Sequence, residues 1–252
     1  MRFSVVVPIH NEEKYLPYSL PAIYRLEPDE VILIFDRCKD GSVRIAKEIS
    51  QSFGYKPYTR FVELDKPSPD WNFRVAFLRR YGYMLARNDI ILNTDADMVL
   101  DNDVVKNHMT NVGRNGIGLV SFGYLDYPYT IQCFIRKIIS TLSPITGFAG
   151  QYAFSKRAWL ETEDEESVKK VYKSEDTHLR LSLLKKYGSL HINTNSLHLR
   201  PTENNRMHYM RGVAYWEVVH NPAWKMLLHS IICLRPAAMA GYINARSRGV
   251  MK

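Results

Sequence analysis

Four short runs rich in β-branched and aromatic residues, Phe3 to Ile9, Glu30 to Phe35, Tyr58 to Leu64 and Asp89 to Thr94, alternate with helical patterns across the first 100 residues. Parallel strands need long crossovers and bury both faces, so this alternation predicts a parallel sheet flanked by helices. The helices are expected at about Glu13 to Arg25, kinked near Pro17 and Pro21, at Ser42 to Ser52 and at Trp71 to Ala86. In such a doubly wound half, ligands belong at the carboxyl ends of the strands. Beyond Gly116 the pattern is mixed. It suggests a strand near Gly118 to Leu125, an amphipathic stretch from Thr130 to Leu142, a turn at Gly147 to Gly150 and a helix between Ser174 and Gly188. The five acids between Glu161 and Glu166 read as a solvated loop or a helix start.

The chemistry begins where strands end. Asp95-Ala96-Asp97 follows the fourth apolar run, and carboxylates at i and i+2 where the chain turns can both reach a cleft above the sheet. Two hard oxygen ligands there suit Mg²⁺ or Mn²⁺ carrying a diphosphate. The first run leads into His10-Asn11-Glu12-Glu13 and the second into Asp36-Arg37-Cys38-Lys39-Asp40-Gly41-Ser42. Asn11 and Ser42 are candidate helix caps, but three polar strand ends on one edge favour a binding crevice. Gly41 is the first glycine in the chain, which excludes a glycine-rich phosphate loop after the first strand. In Ser174-Glu175-Asp176, Ser174 can cap the following helix and Gly188 can end it. Leu179, Leu183, Leu184 and Tyr187 fall on a stripe centred near Asp176, so Asp176 is expected to face inward, ionised by the helix N-terminus and placed for general-base work.

These pieces together resemble glycosyltransferase family 2, inverting enzymes with a GT-A fold, over roughly residues 3 to 212. Ser4 to Glu13 looks like the family's opening strand and nucleotide-binding turn, and Asp36 to Ser42 like its second acidic motif. Arg79-Arg80-Tyr81-Gly82 resembles the basic helix before the DxD. Asp95-Ala96-Asp97 is similar to the DxD itself, and Glu175-Asp176 to the ED pair. The resemblance implies that Pro8, His10 and Glu12 line a nucleoside pocket and that Asp36 hydrogen-bonds the base. It implies further that Arg79, Asp95, Ala96 and Glu175 contact substrate, that Asp97 ligates the metal with Asp95 beside it, and that Asp176 is the catalytic base. His198 stands where some GT-A enzymes place a third metal ligand, and Arg206 and Arg211, in a polar loop, could close over the diphosphate. Val99 departs from the polyprenyl-phosphate mannose synthases, which tend to have Gln two residues after the DxD. The QxxRW motif of processive synthases is missing, its nearest match being His208 to Gly212.

The implied function is single-sugar transfer from a UDP- or GDP-sugar, with Mn²⁺ or Mg²⁺, to a lipid-linked or membrane-proximal acceptor in glycan or glycolipid synthesis. The alternative is a nucleotide-sugar-binding protein that performs no transfer. Residues 1–220 would form the catalytic domain, with a nucleotide half at 1–110 and an acceptor half at 111–220, and 221–252 a basic amphipathic helical segment. Charge supports that division. The chain carries a net charge of +8, yet the 35 residues after Glu217 contain no acid, while Lys225, Arg235, Arg246, Arg248 and Lys252 are basic. From Ala223 to Tyr242, residues Trp224, Met226, Leu227, Leu228, Ile231, Met239 and Tyr242 supply apolar surface. That segment either packs on the catalytic domain or lies on an anionic leaflet. No basic stripe interleaved with aromatics points to nucleic acid. Three dispersed cysteines, no signal-peptide pattern and no apolar run of spanning length suit a cytoplasmic protein, peripheral on the inner face of a membrane.

Overall fold

The computed structural model describes residues 1–54, 57–66, 70–127, 138, 151–171, 175–200, 205–217, 222–232 and 235–250. The amphipathic stretch 130–142, except residue 138, the turn 147–150 and the Ser174 cap lie outside them.

Strands β1 (Phe3–Ile9), β2 (Glu30–Asp36), β3 (Tyr58–Leu64) and β4 (Ile90–Asn93) form the parallel half, in the order β3-β2-β1-β4. Every residue of β2 is buried, and β1 is buried except for the half-buried Pro8, as central strands covered on both faces must be. Crossovers run through α1 (Leu16–Arg25), α2 (Ser42–Ser52) and α3 (Arg74–Leu85). Pro17 occupies the first turn of α1, where no N–H is needed, and Pro21 lies inside the helix. Past β4 come β5 (Met98–Val99), α4 (Asn102–Met109), β6 (Ile117–Asp126) and β7 (Tyr152–Ser155). Strand β7 runs antiparallel to both β4 and β6, so it turns the parallel half into one mixed eight-stranded sheet, β3-β2-β1-β4-β7-β6-β8-β5. Its last partners are β8 (Gly188–His198), parallel to β6, and β5, antiparallel to β8.

Helices α5 (Lys156–Thr162), α6 (Glu165–Lys169) and α7 (Glu175–Leu183) cover one face. The acidic run spans α5 and α6 and is only partly solvated: the Glu163 side chain is 6% exposed, takes the Trp159 indole N–H at 2.5 Å and pairs with Arg80. Asp164 caps α6 through Ser167 N. Helix α7 stops at Leu183, which leaves Leu184 exposed; Leu179 and Leu183 alone carry the expected leucine stripe into the core.

Helices α8 (Asn205–Glu217), α9 (Ala223–Ile232) and α10 (Pro236–Val250) complete the chain, and α8 and α10 pack against each other across residue 220. They meet through glycine. A Cβ at Gly212 would overlap the Ala238 carbonyl, and one at Gly241 the Tyr209 carbonyl. Gly241→Ala is therefore expected to pry α10 from α8, at an overpacking cost of about 1–3 kcal/mol. Faster amide exchange across Pro236–Val250, with β1 and β2 unaffected, is the expected readout; unchanged exchange would disprove the close crossing.

Candidate active site

The ends of β1 and β2 are laced together. Asn11 and Arg37 both take positive φ, 55° and 50°, so each strand leaves the sheet through a left-handed residue. Asn11 Oδ1 accepts Lys39 N at 2.8 Å, Ser42 Oγ accepts Glu12 N at 2.7 Å, and Glu13 Oε2 accepts Gly41 N at 2.7 Å. Asn11 and Ser42 thus tie two loops rather than cap helices, since the cap positions belong to Tyr15 and Gly41. Beside Pro8, His10 is exposed and its Nδ1 lies 2.6 Å from the Asp36 carbonyl, which can only accept, so Nδ1 carries the proton. The Asp36 carboxylate is already engaged by Arg74 (Nη2 at 2.7 Å) and Arg37 (Nη2 at 3.0 Å). Burial raises its pKa, but the two guanidiniums outweigh that and hold it below the ordinary value.

Asp95, Ala96 and Asp97 occupy the turn between β4 and β5. Asp97 is 5% exposed. Its Oδ2 accepts Arg200 Nε at 2.8 Å and stands 3.4 Å from His198 Nε2, while Oδ1 is buried with no hydrogen-bond partner among the described residues. His198, at the end of β8, holds Asp126 Oδ1 with its Nδ1 at 2.9 Å. Burial opposes charge on this imidazole, but Asp126 and Asp97 override it and lift its pKa to about 10. Arg200 also binds Glu12, whose second oxygen is likewise buried and partnerless. Burial pushes the Glu12 carboxyl up, against the pull of Arg200. Ala96, expected to touch substrate, instead packs into the core at 3% exposure, and its carbonyl accepts Ser19 Oγ at 2.5 Å.

Arg79 is the other centre. Expected to meet substrate, it is buried in α3 and bridges Asp95 and Glu175, tying the DxD turn to the start of α7. Glu175 is consequently withdrawn into the bridge, its carboxyl pushed up to about 7 chiefly by burial, against Arg79. Asp176 beside it is partly buried and accepts Thr177 N at 2.7 Å. The helix terminus does not keep its pKa low, as the sequence suggests. Burial raises it, against Arg79, the Thr177 N–H and Arg211. A raised pKa makes Asp176 a stronger base, provided it is ionised when substrate arrives. Arg206 and Arg211 lie on α8, not in a loop, with Arg206 exposed and Arg211 within electrostatic reach of Asp176. Arg79→Met would leave two carboxylates without their shared cation. A loss of about 3–5 kcal/mol in urea unfolding is expected, and a change below about 1 kcal/mol would show the bridge to be a surface-type pair.

Sequence reasoning missed Arg74, Asp126 and Arg200. Asp126 was within reach of the same signal used elsewhere, a polar residue ending an apolar strand. Arg200 gave none, since it meets Asp97 only because β8 pairs with β5.

The donor set can be tested against a divalent cation. Among the described residues, no three His, Cys, Asp or Glu side chains are placed to hold a metal by themselves. Mg²⁺ and Mn²⁺ that carry a diphosphate need only one or two carboxylates, because phosphate oxygens and water complete the shell. Asp97, with a buried oxygen that has no partner among the described residues, matches that requirement; His198, held as an imidazolium between Asp126 and Asp97, could join only once its Nε2 proton is displaced.

The family described as Glycosyl transferase family 2 matches residues 4–151. No curated protein sequence matches the chain. Among solved structures, it is similar to the mannosyltransferase PcManGT from Pyrobaculum calidifontis in complex with GDP-Man and Mn²⁺, with a TM-score of 0.66, 19% identity, and 98% of this chain and 75% of that one covered. It is also similar to glucosyl-3-phosphoglycerate synthase from Mycobacterium tuberculosis in complex with Mn²⁺, UDP-Glc and phosphoglyceric acid, with a TM-score of 0.58, 18% identity and coverages of 83% and 75%. A third structure, S. aureus TarS 1–349, gives a TM-score of 0.55 at 14% identity, with coverages of 87% and 66%. At these identities the likeness is one of fold.

Proposed function

The chain belongs to glycosyl transferase family 2, a glycosyltransferase with the GT-A fold, and from that premise we propose that it moves one sugar, with inversion, from a UDP- or GDP-sugar to a lipid-linked or membrane-proximal acceptor. The observation that carries this reading is that Arg79 joins Asp95, in the turn after β4, to Glu175, at the start of α7 and next to Asp176; turns at the carboxyl ends of parallel strands are where such sheets bind ligands.

In this reading Pro8 and His10 line the nucleoside pocket, and Asp36, fixed by Arg74 and Arg37, presents its remaining lone pairs to the base. Asp97 and His198, with Asp95 adjacent, would hold Mn²⁺ or Mg²⁺, which supplies charge neutralisation for the departing diphosphate. Arg200 offers the same leaving group a guanidinium, and Arg206 an exposed one at the start of α8. Asp176 takes the proton of the acceptor hydroxyl as that oxygen bonds the anomeric carbon. The bond from that carbon to the diphosphate breaks and its electron pair leaves with the phosphate oxygen. Arg79 does not touch substrate; it positions Asp95 and Glu175. Residues 1–110 serve the donor and 111–220 the acceptor. Support for the donor class comes from the neighbours, which hold GDP-Man or UDP-Glc with Mn²⁺.

Thermal denaturation with UDP, GDP and their sugar conjugates, with and without Mn²⁺, tests the reading, since a ligand that binds only the native state raises its stability. One nucleotide series should stabilise the protein in a Mn²⁺-dependent way; no stabilisation by any of them would refute the proposal.

A further inference from the structure

Helix α9 carries its apolar residues on the outside. Met226 and Ser230 are buried, whereas Trp224, Leu227, Leu228 and Ile231 are 63%, 48%, 50% and 62% exposed. At the helical pitch these four fall within an arc of about 100°, the width of a face that ordinarily meets a core. The inner side of α9 is taken by Met226, which packs with Ala238 and Tyr242 of α10. Among the described residues no helix is long and apolar enough to cross a membrane. The chain has no acid after Glu217, and Lys225 on α9 and Arg246 and Arg248 on α10 are exposed, with Lys225 Nζ lying 5.5 Å from the Trp224 ring centroid and Arg246 over the Trp216 ring. Pairing this face with a second copy would set two acid-free basic segments against each other. An anionic bilayer offers apolar depth and opposite charge together.

We propose that Trp224, Leu227, Leu228 and Ile231 insert into the surface of an anionic membrane, with Lys225, Arg246 and Arg248 drawing the protein to it. This deepens the transferase reading and rests on it for the acceptor class. Helix α8 packs against α10, which holds α9, and it carries Arg211, whose charge acts on Asp176. A membrane-seated α9 is thereby joined, through packed helices, to the helix that carries Arg211. The inserted face is narrower than the sequence suggests, because Met226, Met239 and Tyr242 turn inward. Truncation after Pro222 would also strip α10 from α8, so acids placed on the exposed apolar face are the cleaner probe.

The test is sedimentation of the full chain with vesicles of phosphatidylcholine alone or mixed with phosphatidylglycerol, for the wild type and Leu228→Glu/Ile231→Glu. The wild type should bind the anionic vesicles at least about tenfold more tightly than the neutral ones, and more weakly as salt rises from about 0.1 to about 0.5 M. The double variant should lose at least about tenfold on anionic vesicles while keeping its melting temperature and its nucleotide-dependent stabilisation. If it melted early, Trp224→Ala, at an exposed first-turn position, carries the same prediction. Equal binding by wild type and variant, or none to anionic vesicles, overturns the inference. Absent vesicle binding together with a dimer that the variant dissolves assigns the face to a second copy instead. Absent vesicle binding by the wild type with its donor stabilisation intact refutes only the membrane face, and vesicle binding by the wild type without donor stabilisation refutes only the transferase reading.

Discussion

Asp97→Ala is expected to abolish divalent-cation-dependent binding of the nucleotide, with a loss of at least about a hundredfold in affinity, above the cost of removing an outer-shell partner of a metal. The reason is geometric. Asp97 presents a buried oxygen that no other described residue satisfies, and His198, the other candidate ligand beside it, is a poor ligand for a hard cation on its own. Calorimetry of UDP and GDP with Mn²⁺ is the measurement, with circular dichroism to verify folding, since the substitution also removes a partner of Arg200. Unchanged affinity in the presence of Mn²⁺ would place the metal elsewhere.

Asp176→Asn leaves that binding intact but lowers turnover by about two orders of magnitude or more, the usual scale for losing a general base. The amide oxygen can still accept the Thr177 N–H, so the start of α7 is expected to hold its shape. What disappears is a carboxylate whose basicity burial has raised. Single-turnover rates separate this outcome from a binding defect, and a variant that turned over at near the wild-type rate would sink the assignment.

The parallel half was legible almost residue for residue, because buried strands such as Val5-Val6-Val7 and Val31-Ile32-Leu33-Ile34 write themselves as uninterrupted apolar runs. Strand β7 was not. Tyr152 to Ser155 is four residues long, and it becomes a strand only because β4 and β6 offer it edges from either side. The site divides the same way. Asp95, Asp97 and Asp176 sit in local patterns that report their own positions. The burial of Arg79 and the reach of Arg200 to both Asp97 and Glu12 depend on segments 96, 103 and 188 residues apart, which no local pattern encodes. Hence nothing local announced that Arg79 and Glu175, each expected to contact substrate, also pair with each other. Glu163 makes a similar point: inside an acidic run that reads as solvent-facing, Trp159 and Arg80 draw one acid into the core.

A single displacement, with Asp176 as base and the diphosphate as leaving group, would invert the anomeric carbon. The decisive measurement is the anomeric configuration of the product, read by NMR at early times from a nucleotide sugar of defined configuration. The opposite configuration at the anomeric carbon is expected, with one nucleoside diphosphate released per bond formed and Mn²⁺ or Mg²⁺ required. A product that keeps the donor's configuration would contradict it.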